Sequence, residues 1–223
     1  PNELKKVAAQ MKKIEDLQAA ANGASGSSSS SSIGRQPDDE GGPMCPAPEL
    51  MKVFKLLADA KVGAVGEWIE TSLFDTEVFD TRRKAIVFAH HKSVHAKLAE
   101  LFQSKLKDDR AWIHIMGETS QGQREEQLER FKTDSRCRFA LLALTACGQG
   151  LNLAVADTAV FAELCWSPAT LEQAEARVHR MGQASNHVNI YFLTAGEGKD
   201  SPDSAMFGAL AKKSARAAMV VDG

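Results

Sequence analysis

The chain has 223 residues, 43% of them hydrophobic, and a formal net charge of −2. That length allows one sizeable core with an appendage, and near-neutrality excludes a partner recruited by overall charge. Four scattered cysteines (Cys45, Cys137, Cys147, Cys165) with no C-x-x-C pair exclude a disulfide framework or a zinc knuckle and fit a reducing compartment.

Residues 1–21, with "NELKKVAAQMKKIEDLQAA", read as a polar, Lys-rich helix. Residues 22–46 follow as a linker: the stretch "NGASGSSSSSSIG" and the Pro-rich segment after it bury too little to order themselves. From residue 47 to 223 the pattern is that of one domain. "PELMKVFKLLADAKVGAVGEWIETSLFD" has helical spacing, with a break expected near Gly63. Strands and helices then alternate. "KAIVFAH" (84–90) precedes a helix through Lys107, and "AWIHIMG" (111–117) precedes a helix over 121–132. "RFALLAL" (138–144) leads into a glycine-containing loop, and "DTAVFAE" (157–163) into a helix beginning after Ser167. "HVNIYFLT" (187–194) is followed by a loop and a Lys-bearing C-terminal helix. Five short strands separated by helices predict an α/β fold, a parallel sheet with helices on both faces. Such sheets bind ligands at the carboxyl ends of their strands.

Charge is uneven along this chain. Residues 81–138 carry 13 basic and 8 acidic side chains, while both flanking sections are net acidic, so the middle is a local basic zone suited to a polyanion. No apolar run approaches the ~20 residues of a membrane span, and no signal peptide opens the chain. A soluble intracellular protein is expected.

Three loops combine polar groups at helix starts. In "LTACGQGLNLA", Gly148 and Gly150 allow backbone N–H groups to approach an anion. In "GETSQGQREEQLERF", Thr119 or Ser120 caps a helix whose first turn carries Gln121, Gln123 and Arg124. In "ELCWSPATLEQAEARVHRMGQ", Ser167 is an N-cap and Pro168 an N1 residue. A helix continuing through this last stretch places Gln173, Arg177 and Arg180 within about 60° of one another, opposite Leu171, Ala174, Val178 and Met181. The chain contains no G-x-x-x-x-G-K-[ST] phosphate loop and no strand ending in an acidic pair for Mg²⁺.

In this order and spacing the loops resemble the C-terminal RecA-like lobe of superfamily-two helicases, of the Swi/Snf type of double-stranded DNA translocase. "KAIVFAHH" looks like that family's motif IV, "GETSQGQR" like motif IVa, "TACGQGLNL" like motif V and "QAEARVHRMGQ" like motif VI. "VFAHH", "FAELCWSP" and "ADAKVGAVGEWI" are most similar to the annealing-helicase branch. The resemblance covers residues ~50–195. It implies that Arg180 is an arginine finger, Arg177 a second cationic contact and Gln173 a phosphate-orienting amide. It places Gly150 and Asn152 on the nucleotide side of motif V. Thr145, Arg124 and Lys92 would grip the DNA phosphate backbone without reading sequence.

The resemblance further implies ATP and Mg²⁺ as cofactors, held together with an N-terminal RecA-like lobe that carries the missing phosphate loop. The expected partner is double-stranded or forked DNA. The expected setting is a nuclear, monomeric DNA-repair or remodelling enzyme of which this chain is a part, inactive as an ATPase by itself. An RNA helicase lobe is a rival reading, disfavoured by the "Q-x-x-x-R-x-H-R-x-G-Q" form. A non-catalytic scaffold is another, disfavoured by the intact arginines. His91 and His95 are spaced for a metal pair, but no third ligand is placed and no metal site is assigned. Trp68, Trp112 and Trp166 read as core residues.

Overall fold

The computed structural model describes residues 48–75, 77–148, 151–165, 167–183 and 185–195, with Asp203, Ser204 and Gly208. The expected helix over 1–21, the linker over 22–46 and most of the C-terminal helix lie outside the described residues, as do Gly150 and Trp166.

The five apolar runs form strands β1 (Ala85–Ala89), β2 (Trp112–Ile115), β3 (Phe139–Ala143), β4 (Thr158–Phe161) and β5 (Asn189–Phe192). Each is shorter than its apolar run, because the flanking residues leave the ladder for turns. All pairings are parallel, in the order β2-β3-β1-β4-β5. The connecting helices are α1 (Pro48–Ile69), α2 (Lys92–Lys105), α3 (Gln121–Thr133) and α4 (Pro168–Val178).

Both faces of the sheet are covered, so the inner strands are buried along their whole length. On one face Ile86, Phe88, Leu142 and Phe161 pack with Leu128 and Phe131 of α3 and Leu171, Ala174 and Val178 of α4. On the other, Val87, Leu141 and Val160 pack with Val62, Val65 and Ile69 of α1 and Val94, Leu98 and Phe102 of α2. Each large side chain buried this way stabilises the fold by about 1.5–3 kcal/mol. The rings of Phe88, Phe161 and Phe192 stack across β1, β4 and β5 at centroid separations of 5.0 and 4.7 Å.

Two buried lysines finish the frame. Lys84 Nζ donates to the carbonyls of Phe131 (2.5 Å) and Asp134 (2.9 Å), capping the end of α3 with positive charge. Lys61 Nζ donates to Leu193 O at 2.8 Å and to Asp203 Oδ2 at 2.9 Å, tying α1 to the end of β5.

Two expectations are corrected. α1 does not break at Gly63; it continues to Ile69 and closes in a π-type turn, Glu70–Phe74. Gly63 lies on the exposed face, and burial of Val62 and Val65 outweighs the roughly 1 kcal/mol that a helical glycine costs.

The helix of the Gln/Arg cluster stops at Val178, so Arg180 stands in the turn beyond it and Met181 is 94% exposed rather than core. The last-turn carbonyls find partners outside the helix. Leu153 N–H donates to Arg177 O at 3.0 Å, and Gln183 Nε2 donates to Val178 O at 3.2 Å and Ala156 O at 2.7 Å. Gly182, with φ of +93°, supplies the left-handed residue that the turn needs.

Candidate functional site

Because all the strands are parallel, the loops after β1, β2, β3 and β4 emerge on one edge of the sheet. Every candidate residue among those described belongs to one of these loops or to the helix or turn that follows it.

Ser167 Oγ accepts from Thr170 N–H and starts α4, with Pro168 in its first turn. The apolar positions Leu171, Ala174 and Val178 bind the helix to the core, which turns Gln173 and Arg177, one turn apart, away from it. Gln173 is exposed. Arg177 is half-buried, and its Nε is enclosed without a hydrogen-bond partner among the described residues. Arg180 follows in the exposed turn. α4 packs on the 3₁₀ turn after β3, Leu144–Gly148. The Leu153–Arg177 backbone bond fastens the next stretch to the same helix. Exposed Asn152 bonds Ala154 N–H through its side chain at 3.2 Å, shaping its own loop. The structure therefore brings Gln173, Arg177 and the Asn152 loop into one neighbourhood.

A second group gathers where the loop after β2 meets the turn after β3. Thr119 Oγ1 accepts from Met116 N–H at 2.9 Å, and Ser120 caps α3 with Gln123 as its reciprocal partner. A Cβ at Gly117 would lie 3.4 Å from Thr145 Oγ1, so the two loops touch, and Thr145 is exposed. Lys92, in the first turn of α2, reaches Glu118 at 3.1 Å, and that contact holds the Glu118 carboxyl below its usual range.

Arg124 departs from expectation. It lies on the buried face of α3 with Leu128 and Phe131, is 5% exposed, and its Nη2 donates to the carbonyls of Thr119 (3.3 Å) and Met116 (3.5 Å). A guanidinium turned inward in this way shapes the loop after β2 from beneath. It does not stand free on the surface.

The histidines do not form a metal pair. His91 is the N-cap of α2, and its ring meets Glu163; His95 is buried against His114. Among the described residues no group of His, Cys, Asp or Glu is arranged to hold a metal ion. Cys137 and Cys165 are buried, and burial pushes both thiols up, which favours the protonated form over the nucleophilic thiolate. Trp68 and Trp112 pack against the core as expected.

Sequence reasoning missed two residues. Glu163, at the end of β4, is 2% exposed and accepts three donors from the loop after β1. These are His90 N–H (2.6 Å), His91 N–H (2.7 Å) and His91 Nδ1 (2.5 Å). Desolvation acts to raise its carboxyl, and these donors outweigh it, leaving the group below its ordinary value and charged. Gln183 is the other, the clamp at the end of α4. No spacing rule marks a single Glu after an apolar strand. Gln183 closes a quoted motif, yet the periodicity gives it no partner.

The model of the helicase conserved C-terminal domain matches residues 71–182. The human DNA annealing helicase and endonuclease ZRANB3 is 37% identical over 164 residues, 74% of this chain and 14% of that protein. The SWI/SNF-related matrix-associated actin-dependent regulator of chromatin subfamily A-like protein 1 of Xenopus tropicalis is 40% identical over 146 residues, 66% of this chain and 14% of that protein. The chain thus spans about one seventh of the length of these relatives. Among solved structures, the C-terminal part of the Fun30 ATPase domain superposes with a TM-score of 0.54 at 23% identity, covering 67% of this chain and 44% of that one. The Sulfolobus solfataricus SWI2/SNF2 ATPase core domain superposes with a TM-score of 0.53 at 21% identity, covering 72% and 33%. These two likenesses concern the fold alone.

Proposed function

Since the chain belongs to the family of the helicase conserved C-terminal domain, of the Swi/Snf type, we propose that it is the second motor lobe of an ATP-driven translocase on double-stranded or forked DNA, acting in the nucleus. The observation that carries the reading is the gathering of four loops on one sheet edge. The loop after β4 leads to the Gln173–Arg177–Arg180 donors, and the loops after β2 and β3 meet at Gly117 and Thr145.

The donor set fits a polyphosphate. Gln173 and Arg180 are exposed, and Arg177 holds an enclosed N–H without a partner among the described residues. ATP, bound with Mg²⁺ by a first lobe carrying the phosphate loop, would supply the phosphoryl group whose transfer drives movement. Arg180 would neutralise charge on that group, Arg177 would add a second cationic contact, and Gln173 would orient a phosphate oxygen. Asn152 lines the nucleotide side; Gly150, assigned the same role from the sequence, lies outside the described residues.

Lys92 and Thr145 contact the DNA backbone, and Arg124 supports them by shaping the loop after β2 from within. Backbone contacts carry no sequence information, which suits a motor that must move along any sequence.

The test is duplex binding by this chain. Binding is weak and indifferent to sequence, and affinity falls steeply between ~50 and ~200 mM salt because each phosphate contact releases counterions. Lys92→Ala weakens binding to all duplexes equally and lowers the log–log salt slope by about one. Binding that ignores salt, or that follows one sequence, contradicts the reading.

A further inference from the structure

The loop leading into α4 and the loop that begins α2 are joined by one side chain. Glu163 leaves the end of β4 and turns into the neighbouring loop after β1, where Oε1 accepts both His90 N–H and His91 N–H and Oε2 takes the His91 ring. Four residues further along its own chain, Ser167 caps α4, the helix of Gln173 and Arg177. One residue beyond His91, Lys92 opens α2 and reaches across to Glu118, whose neighbour Gly117 lies against Thr145. A contiguous path therefore runs from the start of α4 through Glu163, His91, Lys92 and Glu118 to Thr145.

We propose that Glu163 is a positioning residue for DNA engagement: its buried carboxylate holds His91 and the start of α2 so that Lys92 meets the DNA backbone, and it makes that placement depend on the loop leading into α4. This rests on the reading of Lys92 as a backbone contact.

Three physical points support the role. His91 is the N-cap of α2 yet makes no side-chain cap bond, so the start of the helix is fixed from outside, by Glu163. The two backbone bonds fix the path of the chain at His90 and His91. The ring bond requires a proton between Glu163 Oε2 and His91 Nδ1, which fixes the ring's orientation. Among the described residues Lys92, with an 80% exposed side chain, is directed by the surface pair with Glu118, and such pairs are weak, so the backbone beneath it sets where it reaches.

The experiment uses Glu163→Gln, which keeps size and shape but turns a charged double acceptor into a neutral amide. It is compared with Lys92→Ala and with the double variant, on a mixed-sequence DNA duplex across a salt series. Melting temperature is followed in parallel, together with the ¹⁵N shifts of the His91 ring. Glu163→Gln lowers the log–log salt slope by about one phosphate contact, ~0.9, and changes the His91 ring signature. The double variant binds no more weakly than Lys92→Ala alone, because both changes remove the same contact. A purely structural Glu163 would lower the melting temperature, leave the salt slope unchanged and give additive losses, and that result overturns the proposal. If Lys92→Ala itself leaves binding unchanged, the reading of Lys92 fails and the proposal with it. If Glu163→Gln does not fold, His91→Leu cuts the link from the other side and must give the same slope and the same non-additivity.

Discussion

His95 and His114 stack at 5.5 Å between α2 and β2, and Trp112 stacks with His114 at 5.7 Å. Their ring nitrogens approach to 3.3 Å, too close for both rings to carry charge. Burial pushes His95 down to about 4, helped by the charge that His114 would carry, and burial lowers His114 as well. An unfolded histidine titrates near 6.5, so acid charges the unfolded chain before the folded one. The stability that neutral His95 contributes is therefore fully present above pH ~6.5 and is lost as the pH drops toward 4. His95 contributes a loss on the order of 3 kcal/mol across that window. Urea unfolding at pH 7.5 and pH 5 measures it, and a His95→Leu variant must lose less on acidification than the parent. Equal losses in both contradict this account. The same residues show what a sequence conceals. The His91/His95 spacing suggested one metal pair, whereas the helix start sends His91 to Glu163 and the helix face sends His95 to His114. Which partner each ring finds depends on strands distant in sequence.

At the scale of elements, apolar period located the five strands and capping chemistry the starts of α3 and α4, because those signals are local. Ser120 and Ser167 cap α3 and α4 as their sequence contexts predict. Helix ends were less legible. α4 stops at Val178 because Leu153 N–H and the Gln183 side chain take up its last carbonyls, and neither is periodic with the helix. Arg124 was misjudged for a related reason. Its place in a polar first turn suggested solvent, but it shares a face with Leu128 and Phe131, and its loop carbonyls needed a donor. Gln183 gives the element-scale prediction. Removing its amide leaves Ala156 O and Val178 O short of a donor, so Gln183→Ala destabilises the chain by roughly 1–3 kcal/mol. Gln183→Glu, which lacks the N–H₂ group, does the same at neutral pH. Urea midpoints unchanged in both variants would remove Gln183 from the end of α4.

At the scale of the molecule, the parallel sheet was legible because alternating strands and helices leave few ways to cover both faces. The gathering of loops on one edge follows from that parallel arrangement. What the sheet could not reveal is the cross-link between loops, since Glu163 ties the end of β4 to the loop after β1, neighbours in the sheet but not in the sequence. The central claim is that this lobe presents arginines to a phosphoryl group held elsewhere, and Arg180 tests it most directly. Arg180 is exposed in the turn after α4, its neighbour Met181 also faces solvent, and neither supports the core. In a polypeptide carrying both lobes, Arg180→Ala leaves melting temperature and DNA affinity near their original values. ATP turnover falls by roughly 10³-fold or more if the residue acts as arginine fingers do. Arg180→Lys recovers little of it, since an ammonium lacks the planar fork. The measurement is kcat for the Arg180→Ala protein at saturating DNA and ATP. A collapse with stability intact is the predicted result, and an unchanged kcat would contradict it.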